Sequence, residues 1–173
     1  MELVFAPSEI LKKSTISVDE DMDNVVKLAE QMHTIMSRYN GIGLAAPQVG
    51  LDKSFFIMGD KTRYKLIVNP KIIETGDEKV LATEGCLSFP GLFLKVLRPL
   101  NAVVEYVNNN GDKVNEKLEG MMSRVFQHET DHLNGITFDT LVSKLKLDMA
   151  IKKLNKRLKR NGWRIWSNRI RTR

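Results

Sequence analysis

Residues 120–135 read GMMSRVFQHETDHLNG, and they contain the motif HExxH as His128-Glu129-Thr130-Asp131-His132. Side chains four apart on an α-helix project side by side, so His128 and His132 can reach one metal ion, and Glu129, one step on, can approach a water at that ion without ligating it. The spacing predicts a helix from about Gly120 to Asn134, ended by Gly135. Met121, Val125, His128 and His132 recur at intervals of three and four, an inward stripe that places both imidazoles on the core side. Two imidazoles buried without partners would leave hydrogen-bonding capacity unused at a cost in free energy, which favours ligands over incidental histidines.

The third ligand narrows the chemistry. Peptidases that extend the motif to HExxHxxGxxH are excluded, because Gly135 matches but Phe138 stands where the last histidine is needed. Those that take a glutamate from a later helix are excluded too, since the only acids after His132 are Asp139 and Asp148. His33 is expected on the flank of the first helix, packed or half exposed. Cys86 remains, in Glu84-Gly85-Cys86-Leu87-Ser88, between the tight backbone of Gly85 and Gly91 and beside polar neighbours. A lone cysteine is usually an apolar filler, but this setting suits a presented thiolate.

Around this centre the pattern predicts one α+β domain spanning 1–173: a central HExxH helix packed against antiparallel strands, an N-terminal helix and a basic C-terminal helix. The first helix is expected from about residue 19 to Tyr39, opened by a Ser17/Glu20 capping box, stopped by Asn40-Gly41, and burying Met22, Val25, Ala29, Met32 and Met36. Phe55–Met58, Leu66–Val68 and Ile72–Ile73 read as strands, the last two separated by Pro70. Val103–Val107 and Asp112–Leu118 read as a hairpin across Asn108–Gly111. A third helix over about 143–160 would bury Leu147, Ile151, Leu154 and Leu158 and expose its bases.

Of the 173 residues one is cysteine, so no internal disulfide is possible. A reducing, cytoplasmic setting fits. The first residues, MELVFAPSEILKK, carry neither a signal-like apolar run nor transit-peptide character, and no stretch approaches the ~20 apolar residues of a membrane span. The net charge of +6 is uneven: residues 144–173 hold twelve Lys/Arg and one acid, the remainder fifteen Lys/Arg and twenty acids. A mildly acidic body with a basic tail points to a polyanionic partner at that end.

Three segments, GIGLAAPQ (Gly41–Gln48), EGCLS (Glu84–Ser88) and QHETDHLNG (Gln127–Gly135), resemble in order and type the three motifs of the peptide deformylases, and the resemblance covers most of the chain. Leu3-Val4 is similar to the family's opening strand. Departures lie at Phe93, where many bacterial members carry an arginine beside the peptide groove, and in the tail with Trp163 and Trp166.

The resemblance implies that Cys86, His128 and His132 bind a divalent metal, ferrous iron first, with zinc, nickel or cobalt as substitutes; a thiolate and two imidazoles suit zinc equally by softness. It further implies hydrolysis of the formyl group from the formyl-methionine of nascent polypeptides. A metal-bound water would be activated by Glu129, and the metal, the Gln48 amide and the Leu87 backbone N–H would face the oxyanion. Gly41, Gly43 and Gly85 would let the backbone approach an extended peptide. By position, Gly43, Met121 and Val125 would line the methionine slot, with simple core packing as the alternative for Met121 and Val125. Lys152, Lys153, Lys156, Arg157 and Arg160 would face ribosomal RNA near the peptide exit, or form an ordinary solvated helix face. A monomer with no membrane contact is expected. Two other readings remain open: an HExxH metallopeptidase cutting internal bonds, and a non-catalytic, ribosome-binding relic of the fold.

Overall fold

Helix α1 covers Met22–Arg38 and lies against one face of a five-stranded antiparallel sheet. In the computed structural model, which describes residues 1–19 and 21–160, that sheet has the order β1-β2-β3-β6-β7. Its strands are β1 (Gly43–Ala45), β2 (Phe55–Gly59), β3 (Tyr64–Thr75), β6 (Asn101–Val107) and β7 (Lys113–Glu119). Between β3 and β6 the chain leaves the sheet to form a separate two-stranded pair, β4 (Lys79–Gly85) and β5 (Phe93–Pro99). Helix α2, Gly120–Leu133, covers the other face of the large sheet, and α3, Lys144–Arg160, is the last element among the described residues.

Strand β2 shows why the large sheet is covered on both faces. Phe55 and Ile57 join the cluster under α1 with Val25, Ala29, Met32 and Met36. Phe56 and Met58 point the other way and join Val125 and Phe126 of α2. Successive side chains on a strand face opposite sides, so a run of four apolar residues feeds two cores at once. Phe56 meets Phe126 edge to face at 5.2 Å. Burying one such large side chain contributes about 1.5–3 kcal/mol. A third cluster, with Leu11, Phe89, Leu92, Val96, Phe138 and Leu154, lies under α3.

Three expectations need correction. Helix α1 starts at Met22, not near residue 19: Asp21 is the cap, its carboxylate accepting from the Asn24 N–H at 3.0 Å. A side chain that reaches an orphan N–H two or three residues on wins over the more distant Ser17; Glu20, the other half of the expected box, lies outside the described residues. The segments Leu66–Val68 and Ile72–Ile73 form one strand, β3, because a bulge takes up Asn69 and Pro70 and the pairing with β6 resumes at Lys71. Proline lacks an N–H for the ladder, and a bulge is where that loss is tolerated. Leu3-Val4 forms no strand among the described residues; the Val4 N–H donates to the Gln48 backbone carbonyl at 2.8 Å.

The hairpin β6–β7 pairs in register from Asn101↔Glu119 to Val107↔Lys113. Helix α2 ends as its sequence suggests. Gly135 adopts φ 70°, its N–H donates to the His132 carbonyl, and the Ile136 N–H donates to the Asp131 carbonyl. Such a cap needs a left-handed residue, which glycine supplies without strain. In α3 Leu154 is buried, while Leu147, Ile151 and Leu158 pack partly against the third cluster.

Candidate metal centre

Helix α2 is buried on nearly every side: residues 123–130 and His132 and Leu133 are all buried. A helix in that position is usually apolar all round, yet this one carries Arg124, Gln127, His128, Glu129 and His132 into the interior. The Met121 of the expected inward stripe is 63% exposed instead, because it occupies the first turn of the helix at a cleft mouth.

Three donors from two distant segments meet here. Cys86 Sγ and ring nitrogens of His128 and His132 lie within 4.8 Å of one another, and the thiol sits 3.2 Å from His132 Nε2. Cys86 follows directly on β4, so the β4–β5 pair carries the sulfur to the buried helix. Gln48, in a 3-10 turn after β1, is fixed by its carbonyl oxygen accepting from the Ala45 N–H at 2.8 Å. Its amide nitrogen then donates towards Cys86 Sγ at 3.4 Å and Ser88 Oγ at 3.2 Å.

Behind the histidines stands a charged network that the sequence reading missed. Glu84 accepts from Arg98 and Arg124 and lies 3.0 Å from His128 Nδ1, which turns the other ring nitrogen of His128 towards the Cys86 thiol. Arg98 also donates to Asp131 at 2.8 Å. Arg124 reaches the carbonyls of Val80 and Val96, tying the β4–β5 pair to α2. A carboxylate on the far nitrogen orients a ligating imidazole and raises its basicity. The signal available was an acid inside the EGCLS segment and an arginine four residues before His128, both spaced for the interior.

The electrostatics separate the titratable groups. Burial pushes His132 well below its ordinary value, with help from the positive charges of His128 and Arg98, so its imidazole is neutral. For His128 burial acts downward, but hydrogen bonds to Cys86 and Glu84 outweigh it and raise the group. Burial lifts Glu129 to about 7, against the opposing pull of His128 and Arg98.

The donor chemistry fits a divalent ion. A neutral imidazole, an imidazole oriented by Glu84 and a thiol facing an amide donor form a three-point N/S set. His132 Nδ1 and Glu129 Oε2 are buried with no hydrogen-bond partner among the described residues. A buried polar atom without a partner calls for an explanation, and a bound ion with its water beside His132 and Glu129 supplies one.

The centre opens into a cleft of about 590 Å3. Gly41, Gly43, Gln48, Gly85, Leu87, Met121, Val125, His128 and Glu129 all line it, as do Phe5, Tyr39, Ile42 and Phe93. Val125 is buried at the wall, in core contact as well. Among the described residues strand β1 is the edge of its sheet, with one side unpaired. His33 stays apart, its Nε2 2.8 Å from the Asp60 carbonyl and its ring on Tyr64. Lys152, Lys153, Lys156, Arg157 and Arg160 are exposed on α3 and belong to none of the three metal donors. Four of them, all but Lys152, border a second cavity of about 500 Å3 beside Gly91 and Phe93. The rest of the basic tail, with Trp163 and Trp166, lies outside the described residues.

Comparison with known proteins follows the same lines. A family model described as polypeptide deformylase matches residues 1–147. The peptide deformylase of Thermotoga sp. (strain RQ2) is 43% identical over 145 residues, covering 84% of this chain and 88% of that protein. The crystal structure of the Thermotoga maritima peptide deformylase superposes with a TM-score of 0.78 at 40% identity, over 82% of this chain and 97% of that one. Peptide deformylase 1B of Arabidopsis thaliana, solved with an inhibitor, gives a TM-score of 0.84 at 32% identity over 100% of both chains.

Proposed function

Since the chain belongs to the polypeptide deformylase family and is a metal-dependent hydrolase, we propose that it removes the formyl group from the N-terminal formyl-methionine of nascent polypeptides. One observation carries this reading: a thiol and two imidazoles converge within 4.8 Å at the head of an apolar cleft, beside a buried glutamate. Cys86 Sγ, His132 Nε2 and the ring nitrogen of His128 that faces the thiol would hold the ion, with loss of the His128 and Cys86 protons on binding; ferrous iron is first, with zinc, nickel or cobalt as substitutes. When bound, the ion supplies Lewis acidity that brings a water towards ionisation at neutral pH and polarises the carbonyl beside it.

The remaining steps belong to the chain's own groups. Glu129, held near 7 by burial, takes the proton of the attacking water and later delivers it to the leaving amine; a group with that value exchanges protons readily at neutral pH. The Gln48 amide, already turned towards Cys86, and the Leu87 N–H face the charge that builds on the formyl oxygen. A donor of this kind is worth ~3 kcal/mol. The peptide runs as an added strand along the free side of β1, past Gly41 and Gly43 and opposite Gly85. Its methionine side chain rests on the wall that holds Val125 and Met121.

The whole chain, 1–173, acts as one deformylase-like domain with 144–173 as its basic helix and tail, and it works as a cytoplasmic monomer. The single free thiol supports a reducing compartment. Among the described residues no helix is long and apolar enough to cross a membrane. The exposed bases of α3 dock on ribosomal RNA where formylated chains emerge. If five of them contact phosphates, ribosome affinity falls about 10²- to 10³-fold between about 50 and 200 mM salt. A flat salt response in co-sedimentation would dispose of this contact.

The function itself is tested by formate release. Anaerobically purified, iron-loaded protein is expected to release formate from a formyl-Met tripeptide and to leave the unformylated peptide intact. Cleavage of internal bonds without formate release would point to a peptidase instead.

A further inference from the structure

Gly43 sits in the middle of the cleft wall with an ordinary strand backbone; its φ is not in the left-handed region, so conformation alone does not call for glycine there. Space does. A Cβ built at Gly43 would overlap the Glu129 carboxylate, lying 2.8 Å from its Cδ and 3.0 Å from its Cγ. Alternation along β1 explains the direction: Ala45, two residues on, packs into the cluster that holds Val125 and Phe126 of α2, so position 43 faces α2 as well.

Glu129 is 4% exposed, and its Oε2 has no hydrogen-bond partner among the described residues. Neighbouring atoms therefore set where this end of the side chain stands, and the bare Cα of Gly43 is part of that wall.

We propose that Gly43 is a positioning residue for Glu129, its missing side chain providing the room in which the carboxylate stands at the head of the cleft. This role differs from backbone pairing with the peptide, which any residue at 43 could perform through its N–H and C=O. It rests on the reading of Glu129 as the proton-transfer group.

The experiment is a double-mutant cycle with Gly43→Ala, Glu129→Ala and the double variant, all iron-loaded. Metal content, melting temperature, and kcat and KM on a formyl-Met tripeptide are measured for each. Gly43→Ala is expected to keep its metal, to lower kcat about 10²-fold through misplacement on the order of 1 Å, and to leave KM within about twofold. It should also lower the melting temperature. In the Glu129→Ala background the added methyl enters vacated space, so both losses should largely vanish. Additive losses in kcat and melting temperature would overturn the proposal, as would a tenfold rise in KM at unchanged kcat, the mark of a methyl obstructing the peptide. Should Gly43→Ala alone fail to fold, recovery of folded, metal-loaded double variant supports the proposal and failure of both overturns it. Full activity in Glu129→Ala would instead sink the proton-transfer reading, a separate outcome.

Discussion

Glu129→Ala is expected to retain a full complement of metal and to lose between about 10²- and 10⁴-fold in turnover, the span that a positioned proton-transfer group contributes. The expectation follows from two features. Glu129 touches none of the three donors as a ligand, so the Cys86, His128 and His132 set survives its removal. Its carboxylate is buried, unpartnered at Oε2 among the described residues, and lifted to about 7. Glu129→Gln separates shape from proton transfer. The amide fills the same space beside Gly43 but cannot accept a proton at neutral pH, so it should be as inactive as the alanine variant. Near-normal rates in either, with metal content confirmed by emission spectroscopy, would remove Glu129 from the role proposed for it.

Cys86→Ser should act on the other side of the division, costing the metal itself. A serine hydroxyl stays protonated at neutral pH and is a poor ligand beside a thiolate. The loss in affinity should exceed the 10- to 100-fold that removal of a residue behind a ligand typically brings, because the change strikes the donor itself. The fold should tolerate it. Serine is close in size, and Gln48 and His132, which now face the sulfur at 3.4 and 3.2 Å, can bond a hydroxyl. Dialysed Cys86→Ser protein that still carried stoichiometric metal with ordinary affinity would show that the sulfur is not a donor.

The helices were the most legible elements. Helix α2 was expected over about Gly120 to Asn134 and runs Gly120–Leu133; α3 was expected over about 143–160 and runs Lys144–Arg160. Both carry strong local signals, a glycine stop in one and an apolar stripe among bases in the other. The β4–β5 pair went unread for a physical reason. Its inner face holds Glu84 and Arg98, and its outer face holds Leu81 and Leu97, exposed at 51% and 57%. The usual alternation of apolar inside and polar outside is thus scrambled, and a period-2 search finds no clean strand. The buried charges that spoil the pattern are those that hold His128 and bind the pair to α2.

By itself, the sequence determined what depends on near neighbours. Helical geometry forces residues four apart onto one face, so His128 and His132 were committed to a shared side as soon as the helix formed. It also determined, through three ordered motifs, the family to which the chain belongs. The tertiary structure decided what depends on contacts across the chain. It chose where the Cys86 sulfur, 46 residues from His132, comes to rest, which of the buried acids grips His128, and that Gly43 must be bare for Glu129. None of these follows from spacing, because each is set by how α2, β1 and the β4–β5 pair pack, and packing joins residues that no local periodicity connects.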